Sequence, residues 1–350
     1  FANLLLGIYN MKKIILLSLL PLTAMAAPSL KGFEKTYQDW DLICDNTGTC
    51  NMAGYQEERD GSEHPVSILF TRSAGEKAPV TAQLALLRED VGNKTAEIIL
   101  NGQSLGIVPN ISEDGNAKLS EKQTTELLTA LKGNASIEVI FGEFKEKVSD
   151  KGAAAAMLKM DEFQQRLNTP SALIRQGQEK HAVLAPQAAP KIEAVSVNNH
   201  KTIELKRGEK QFKHVLALLR KAYDGCVDED LESQDITLYP LTQNKVLAEA
   251  LCASGAYQST NYYAVLDDKL SKVEQVLADQ YNGVGGDRKQ GYAFVRGSYK
   301  GRALGDCWNG QDAVWNGKIF IRTSDWMTGG CYKAFTGGAW QLPTFVSDII

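Results

Sequence analysis

The sequence predicts an α+β fold: two β-rich domains with a few helices each, stapled by disulfides. Three observations carry that prediction. Short apolar or alternating runs recur along the chain, punctuated by Gly, Asn, Asp and Pro. The six cysteines form an even set with no C-x-x-C among them. An Ala/Pro-biased stretch lies near the middle of the 350 residues, a length that suits two domains.

The first element is a leader. Lys12-Lys13, the apolar run Ile14–Leu22 and Ala24-Met25-Ala26 follow Met11 in order. That is the positive, apolar and small-residue pattern of a secretory signal peptide, so residues 1–26 read as upstream residues and signal peptide. Cleavage after Ala26 would place the protein in the periplasm, with no transmembrane anchor left behind. Export also reads the cysteines as disulfides. Sequence alone does not fix their pairing. Nearest-neighbour bridges, Cys44–Cys50, Cys226–Cys252 and Cys307–Cys331, close the shortest loops and are the expected set. A zinc site is not expected, because the four histidines are scattered away from the cysteines. The chain carries a formal charge of −4, and losing a leader with two lysines leaves it more acidic. Such a chain is not built to neutralise phosphates, so nucleic acid is excluded as a partner.

Residues 30–178 read as an N-terminal β-rich domain. Strand-like residues flank a small loop between Cys44 and Cys50. "VSILFTR" and "TAQLALL" are strand-length runs, and Asn101-Gly102 marks a hairpin turn in "AEIILNGQSLGIV". Ser120 and Gln123 form a capping box before "ELLTALKG", with Gly133 as the stop. "SIEVIFG" alternates as a strand. Ala153, Met157, Met160, Phe163 and Leu167 recur at helical spacing as a core stripe.

Residues 179–196 read as an Ala/Pro linker and 197–350 as a C-terminal α+β domain. "NHKTIELK" is a strand. Phe212, Val215, Leu216, Leu219 and Tyr223 share a helical face. Pro240-Leu241-Thr242 is read as starting a second helix, "QNKVLAEALCASG", ending near Gly255. "YQSTNYYAVLDD", "KVEQVLAD" and "YAFVRGSY" follow as strands, although Ser271 and Glu274 have capping-box spacing. Gly283–Gly286 reads as a loop, since no dinucleotide frame surrounds it. Asn316-Gly317 predicts a type I′ turn between "QDAVW" and "KIFIR". A Cys307–Cys331 bridge around that hairpin contributes about 3 kcal/mol in the chain-entropy treatment.

No catalytic set assembles from the sequence. Gly102-Gln103-Ser104-Leu105-Gly106 matches G-x-S-x-G, but "IVPN" follows where a nucleophile elbow needs a helix. Asp306, Asn309 and Asp312 offer oxygens around Gly310 without the spacing or closing Glu of a calcium loop. Four of the five tryptophans, Trp308, Trp315, Trp326 and Trp340, crowd into the last third. Most are expected to be core, since aromatics dominate burial.

Four places give the chain a family resemblance. They are Trp40 with Cys44 and Cys50; "AAAAMLKMDEFQQRLNTPSALIRQG", residues 153–177; "LCASGAY" around Cys252; and "GRALGDCWNGQDAVWNGKIFIR" through Cys331. The chain resembles the bacterial domain of unknown function 1176 family, whose N-terminal part is similar to invasion-associated locus B proteins. It departs from the family's pattern at Trp308 and at Tyr332-Lys333. The resemblance implies an exported protein with no catalytic residues to carry over.

The expected function is therefore a periplasmic, non-catalytic binding or interaction protein. Its partner would be an unidentified protein or cell-envelope component. Trp308, Trp326 and Tyr332 are the candidate contact residues, and no cofactor or metal is expected. The alternatives are a carbohydrate- or peptidoglycan-binding module and a periplasmic hydrolase using Ser104 or an acidic pair such as Asp228 with Asp230 or Asp267-Asp268.

Overall fold

The computed structural model describes residues 30–57, 63–86, 95–198, 201–286, 291–332 and 335–350. The leader expected over residues 1–26 lies outside them. The first elements are β1 (Phe33–Tyr37), β2 (Trp40–Cys44), β3 (Cys50–Gly54), β4 (Val66–Arg72) and β5 (Val80–Leu86). Then come β6 (Ala96–Leu100), β7 (Gln103–Val108), β8 (Asn116–Lys118), α1 (Glu121–Ala130), β9 (Ile137–Phe141), β10 (Phe144–Val148) and α2 (Ala153–Phe163). A short β11 (Lys191–Ile192) leads to β12 (Ile203–Leu205), α3 (Lys210–Ala222), α4 (Asp228–Leu231) and β13 (Ile236–Pro240). Five further strands follow: β14 (Lys245–Ser254), β15 (Ser259–Asp267), β16 (Val273–Tyr281), β17 (Gly283–Gly286) and β18 (Ala293–Lys300). The chain ends with β19 (Trp308–Trp315), β20 (Phe320–Met327), β21 (Leu342–Phe345) and β22 (Asp348–Ile349).

Sheet one runs β1-β2-β3-β4-β5-β8 and sheet two β10-β9-β6-β7. Sheet three runs β12-β13-β14-β15-β16 and sheet four β17-β18-β19-β20-β21. The protein is thus mostly β with few helices, and it carries the three nearest-neighbour disulfides Cys44–Cys50, Cys226–Cys252 and Cys307–Cys331.

Alternation explains how the layers stack. Along β2, Trp40, Leu42 and Cys44 enter a core shared with sheet two, α1 and α2, while Ile43 enters a different cluster on the opposite face. Leu69 of β4 does the same, between Ile68 and Phe70. Sheet one is therefore buried on both faces, which is why "VSILFTR" reads as a nearly continuous apolar run. Sheet three is also covered twice. Val246, Ala248 and Ala250 pack with Phe212, Val215, Leu216 and Leu219 of α3. Leu247, Tyr263 and Val265 on its other face meet Val295, Ala313, Trp315 and Phe320 of sheet four.

Several predicted elements are present as expected. Asn101 and Gly102 both have positive φ, 51° and 81°, in the β6–β7 turn. The capping box forms, with Ser120 Oγ accepting from the Gln123 N–H. β15 and β16 pair, and the Ser271 hydroxyl is taken by Asp267 rather than by a helix start.

Three expectations are corrected. The segment from Gln243 to Gly255 is not a helix but a hairpin turn followed by β14. Gln243 and Asn244 take positive φ, 58° and 55°, and form the turn that had read as a helix start. Ala, Leu and Glu favour a helix locally. Pairing with β13 and β15, and burial on both faces, override that preference. Cys226 is therefore tied to a strand, not to a second helix end. Gly283–Gly286 is not a loop but the edge strand β17, paired with β18. Finally, Asn316-Gly317 does not make a two-residue turn. Trp315 pairs with Phe320, leaving a four-residue loop in which Asn316 Oδ1 accepts from the Lys318 and Ile319 N–H groups. That side-chain acceptor holds the turn, and only Gly317 has positive φ.

The Ala/Pro stretch is a strap anchored along its length. Leu184 donates to Gln164 and accepts from Gly75, Gln187 donates to Thr47, and Val195 donates to Trp315. β11 pairs in parallel with β22. Beneath the strap lies a buried polar knot. Arg166 is fully buried and donates to the carbonyls of Gly75 and Glu76, to Gln164 Oε1 and to Ser171 Oγ. Asp161, also fully buried, accepts from the Leu173 and Ile174 N–H groups and lies 3.7 Å from Arg72. This knot accounts for Asp161, Gln164, Arg166 and Ser171 of the Ala153–Gly177 motif.

Candidate functional site

The five tryptophans divide by environment. Trp40, Trp315 and Trp340 are buried, and each indole N–H has a partner: the Ser149 carbonyl, Thr242 Oγ1 and Ser67 Oγ respectively. They are core, as burial with a satisfied N–H requires. Trp308 and Trp326 are half-buried.

The β19–β20 ladder pairs Gly310 with Trp326. A Cβ on Gly310 would lie 2.4 Å from Trp326 Cζ2, so the indole rests against the bare backbone of that residue. Beside it opens a groove of about 290 Å³. It is bordered by Glu34, Tyr299, Asn309, Gln311, Asp325, Met327 and Thr344 beside Gly310 and Trp326, and strand alternation sets the side chains of Asn309, Gln311, Asp325 and Met327 on the face opposite the Trp326 indole. Glu34 comes from β1 of sheet one, and the other residues come from sheet four. The two sheets approach closely here, since a Cβ on Gly32 would lie 2.1 Å from the Thr344 carbonyl oxygen.

The groove is acidic. Burial raises the Asp325 carboxyl above its ordinary range, Arg322 opposes that rise at 2.7 Å, and Glu34 adds to it through like charge. Asp312, further along β19, is likewise raised by burial and opposed by Arg296.

The structure does not gather the three contact candidates into one site. Trp326 lines the groove. Trp308 donates from its indole to the Gly305 carbonyl, and the Lys300 ammonium sits 5.5 Å above its ring. Tyr332 belongs to the joint between sheet one and the segment after β20. Its ring stacks on Tyr55 at 4.1 Å, and its hydroxyl lies 3.3 Å from Asp41 Oδ1 and from the Gln38 carbonyl. Asp41 is buried and accepts from the Gly330 N–H at 2.7 Å and from Thr36 at 2.6 Å. Desolvation raises its carboxyl above the ordinary value, and these donors lower it.

Other chemical candidates are already engaged. Asp306 forms an ion pair with Arg302, and the neighbouring Cys307 and Cys331 are joined to each other, so that cluster offers no thiolate. Ser104 stands on the exposed strand β7, hydrogen-bonded to Glu97 and to the Gly106 N–H. A second groove of about 340 Å³ is lined by Gln56, Glu57, Lys145, Glu146 and Asp150. Its polar groups are partly consumed internally: Gln56 donates to Glu146, Glu57 pairs with Lys151, and Asp150 accepts from the Ala135 N–H.

Sequence reasoning did not find Glu34, Tyr299, Asn309 or Gln311 as companions of Trp326. Only the β18–β19–β20 register and the approach of Gly32, just before β1, to Thr344 bring them together. The fold and groove define a disulfide-stapled, β-rich protein with a groove at the seam of its first and last sheets. The chain belongs to the family described as "Protein of unknown function (DUF1176)", whose pattern matches residues 34–347. It is also similar to the uncharacterized protein YpfG of Escherichia coli (strain K12), with 23% identity over 273 residues, 75% of this chain and 74% of that protein. No solved structure matches. Among the described residues no helix is long and apolar enough to cross a membrane.

Proposed function

We propose that the protein is an exported, periplasmic, non-catalytic binding protein that takes a cell-envelope component into the Trp326 groove. The observation that carries this reading is the groove's construction from both ends of the chain. Two amides and two carboxylates border one open space with Tyr299 and Met327, a group of polar side chains fit to orient a ligand. The disulfides and the leader pattern support export. The hydrolase alternative gains no support from Ser104, whose recorded hydrogen bonds involve a glutamate and a backbone N–H rather than a histidine.

Two measurements test the reading. Osmotic-shock fractionation should release the protein with a mature N-terminus at Ala27. A photo-crosslinking residue at Gln311 should capture a partner in cells that the same residue at Lys122, exposed on α1, does not. Equal capture at both positions would remove the groove from the account.

A further inference from the structure

We infer that the outer edge of β17 binds an extended segment of another protein by strand addition, seating one apolar side chain of that segment between sheets three and four. This site is separate from the groove beside Trp326. β17 is an edge strand of sheet four, and among the described residues nothing pairs with its other edge. The direction of its backbone groups follows from β18. The Arg296 carbonyl accepts from the Asn282 N–H, and Ser298 exchanges two hydrogen bonds with the Asn282 side chain. The backbone groups of Phe294, Arg296 and Ser298 therefore face β17, and Gly283 and Gly285, opposite Arg296 and Phe294, face back. Val284 lies between them and turns its N–H and C=O to the unpaired edge. Such groups are a template for a further strand.

The glycines of β17 point the same way. Neither Gly283 nor Gly285 has positive φ. A Cβ on Gly283 would meet its nearest neighbour among the described residues at 3.9 Å, and one on Gly285 at 3.8 Å, which is ordinary contact. Side chains would fit at both positions and would strengthen the strand. Glycine in a strand marks a place where another backbone approaches closely, and β17 carries neither charge nor proline to keep one away.

The inner face of β17 borders a pocket of about 230 Å³. Val284, opposite Val295, enters the core between sheets three and four, where Tyr239 and Leu247 form a cross-strand pair on the facing sheet. Ala293 takes the next inward position of β18 and leaves space unfilled. The Tyr239 hydroxyl donates to Glu249, which fixes the ring as a wall. Among the described residues no charged side chain lines the pocket. A strand added beside β17 would set every second side chain on this face, the one opposite Val284 about 5 Å away. The volume is below the roughly 300 to 1,000 Å³ of small-molecule sites, so it suits one large side chain such as leucine or phenylalanine. The uncharged lining selects an apolar one. A second copy of β17 fits less well, because it brings only Val284 and glycines to that space.

The experiment uses the full chain after leader removal and fluorescein-labelled heptapeptides, read by anisotropy. The probes alternate threonine with leucine or with phenylalanine between terminal lysines. The controls carry aspartate at the apolar positions. At least one apolar probe should bind with a Kd below about 1 mM, and its aspartate counterpart should be weaker by about tenfold or more. N-methylation of one alternate set of peptide amides should abolish binding and methylation of the other set should not, because only one set faces β17. Val284→Pro removes the outward N–H and leaves the β18 hydrogen bonds in place, so it should weaken the probe by about tenfold. Ala293→Leu fills the pocket and should weaken it as well. Thermal melts show whether each variant is folded, and the N-methyl pair needs no variant. Absence of binding by every apolar probe, equal affinity for the aspartate peptides, the same result for both N-methyl sets, or wild-type affinity in both Val284→Pro and Ala293→Leu would overturn the inference. So would sedimentation showing a dimer that Val284→Pro dissolves, which would assign the edge to a second copy.

Discussion

Sheets one and three are each buried on both faces, but their outer covers differ in kind. α3 covers sheet three with Phe212, Val215, Leu216 and Leu219, four residues at helical spacing on one continuous element. The segment from Thr328 to Leu342 covers sheet one with Phe335, Trp340 and Leu342, which follow no period. It is held instead by discrete anchors: Trp340 to Ser67, Gly330 to Asp41, Tyr332 on Tyr55, and Asn46 to the Val346 backbone. The Cys307–Cys331 bridge ties its start to β19. A cover with a period organises itself, whereas an irregular cover depends on its tethers. The groove lies beside that cover, bordered by Met327 just before it and Thr344 just after it.

The comparison can be broken at four points. Trp340→Ala should have the largest effect, about 3 to 5 kcal/mol, because it removes a buried indole and the N–H that Ser67 Oγ accepts. Hydrogen exchange should show residues 328–342 opening while α3 keeps its protection; uniform loss of protection would mean the two covers fold as one unit. Leu219→Ala should cost about 2 to 5 kcal/mol, measured by urea unfolding. Here exchange should rise around α3 and leave the Trp340 segment protected. Replacing Cys307 and Cys331 together by serine should cost about 2 to 4 kcal/mol. Proteolysis should then cut first between residues 328 and 340, and cleavage elsewhere would show that the bridge is not the tether argued for here.

The smallest effect concerns pH. Burial raises the Asp41 carboxyl above its unfolded value. The stability linked to it is therefore complete below the ordinary carboxylate range and is lost as pH rises through the raised value. Relative to Asp41→Asn, the wild type should gain melting temperature as pH falls from 7 towards about 4. A constant difference across that range would place the anchor elsewhere.

Much of the fold was legible in residue order. The β6–β7 turn, the α1 capping box, the α3 stripe and the Cys44–Cys50 bridge all depend on neighbours close in sequence. The misreadings have identifiable causes. "QNKVLAEALCASG" looks helical because Ala, Leu and Glu are locally good helix formers, and only distant strands make it a sheet interior. The burial of Asp161 and Arg166 left no mark in the residue order, because Arg166 is held there by the distant Gly75 and Glu76 carbonyls. Of the site, Trp326 was legible as an aromatic candidate. Its separation from Tyr332 was not, because a half-exposed contact residue and a seam residue have the same sequence appearance.

The sequence by itself determined the local devices: alternation, caps, turn glycines and the short disulfide loops. It also determined the acidic balance that disfavours phosphate ligands. Tertiary structure alone decided which face of sheet one the C-terminal segment covers, and therefore that Glu34 stands beside Trp326. The reason is physical. Periodicity, capping and short loops are set by interactions across a few residues, whereas the groove joins positions at opposite ends of the chain, whose proximity follows only from the packing of whole sheets.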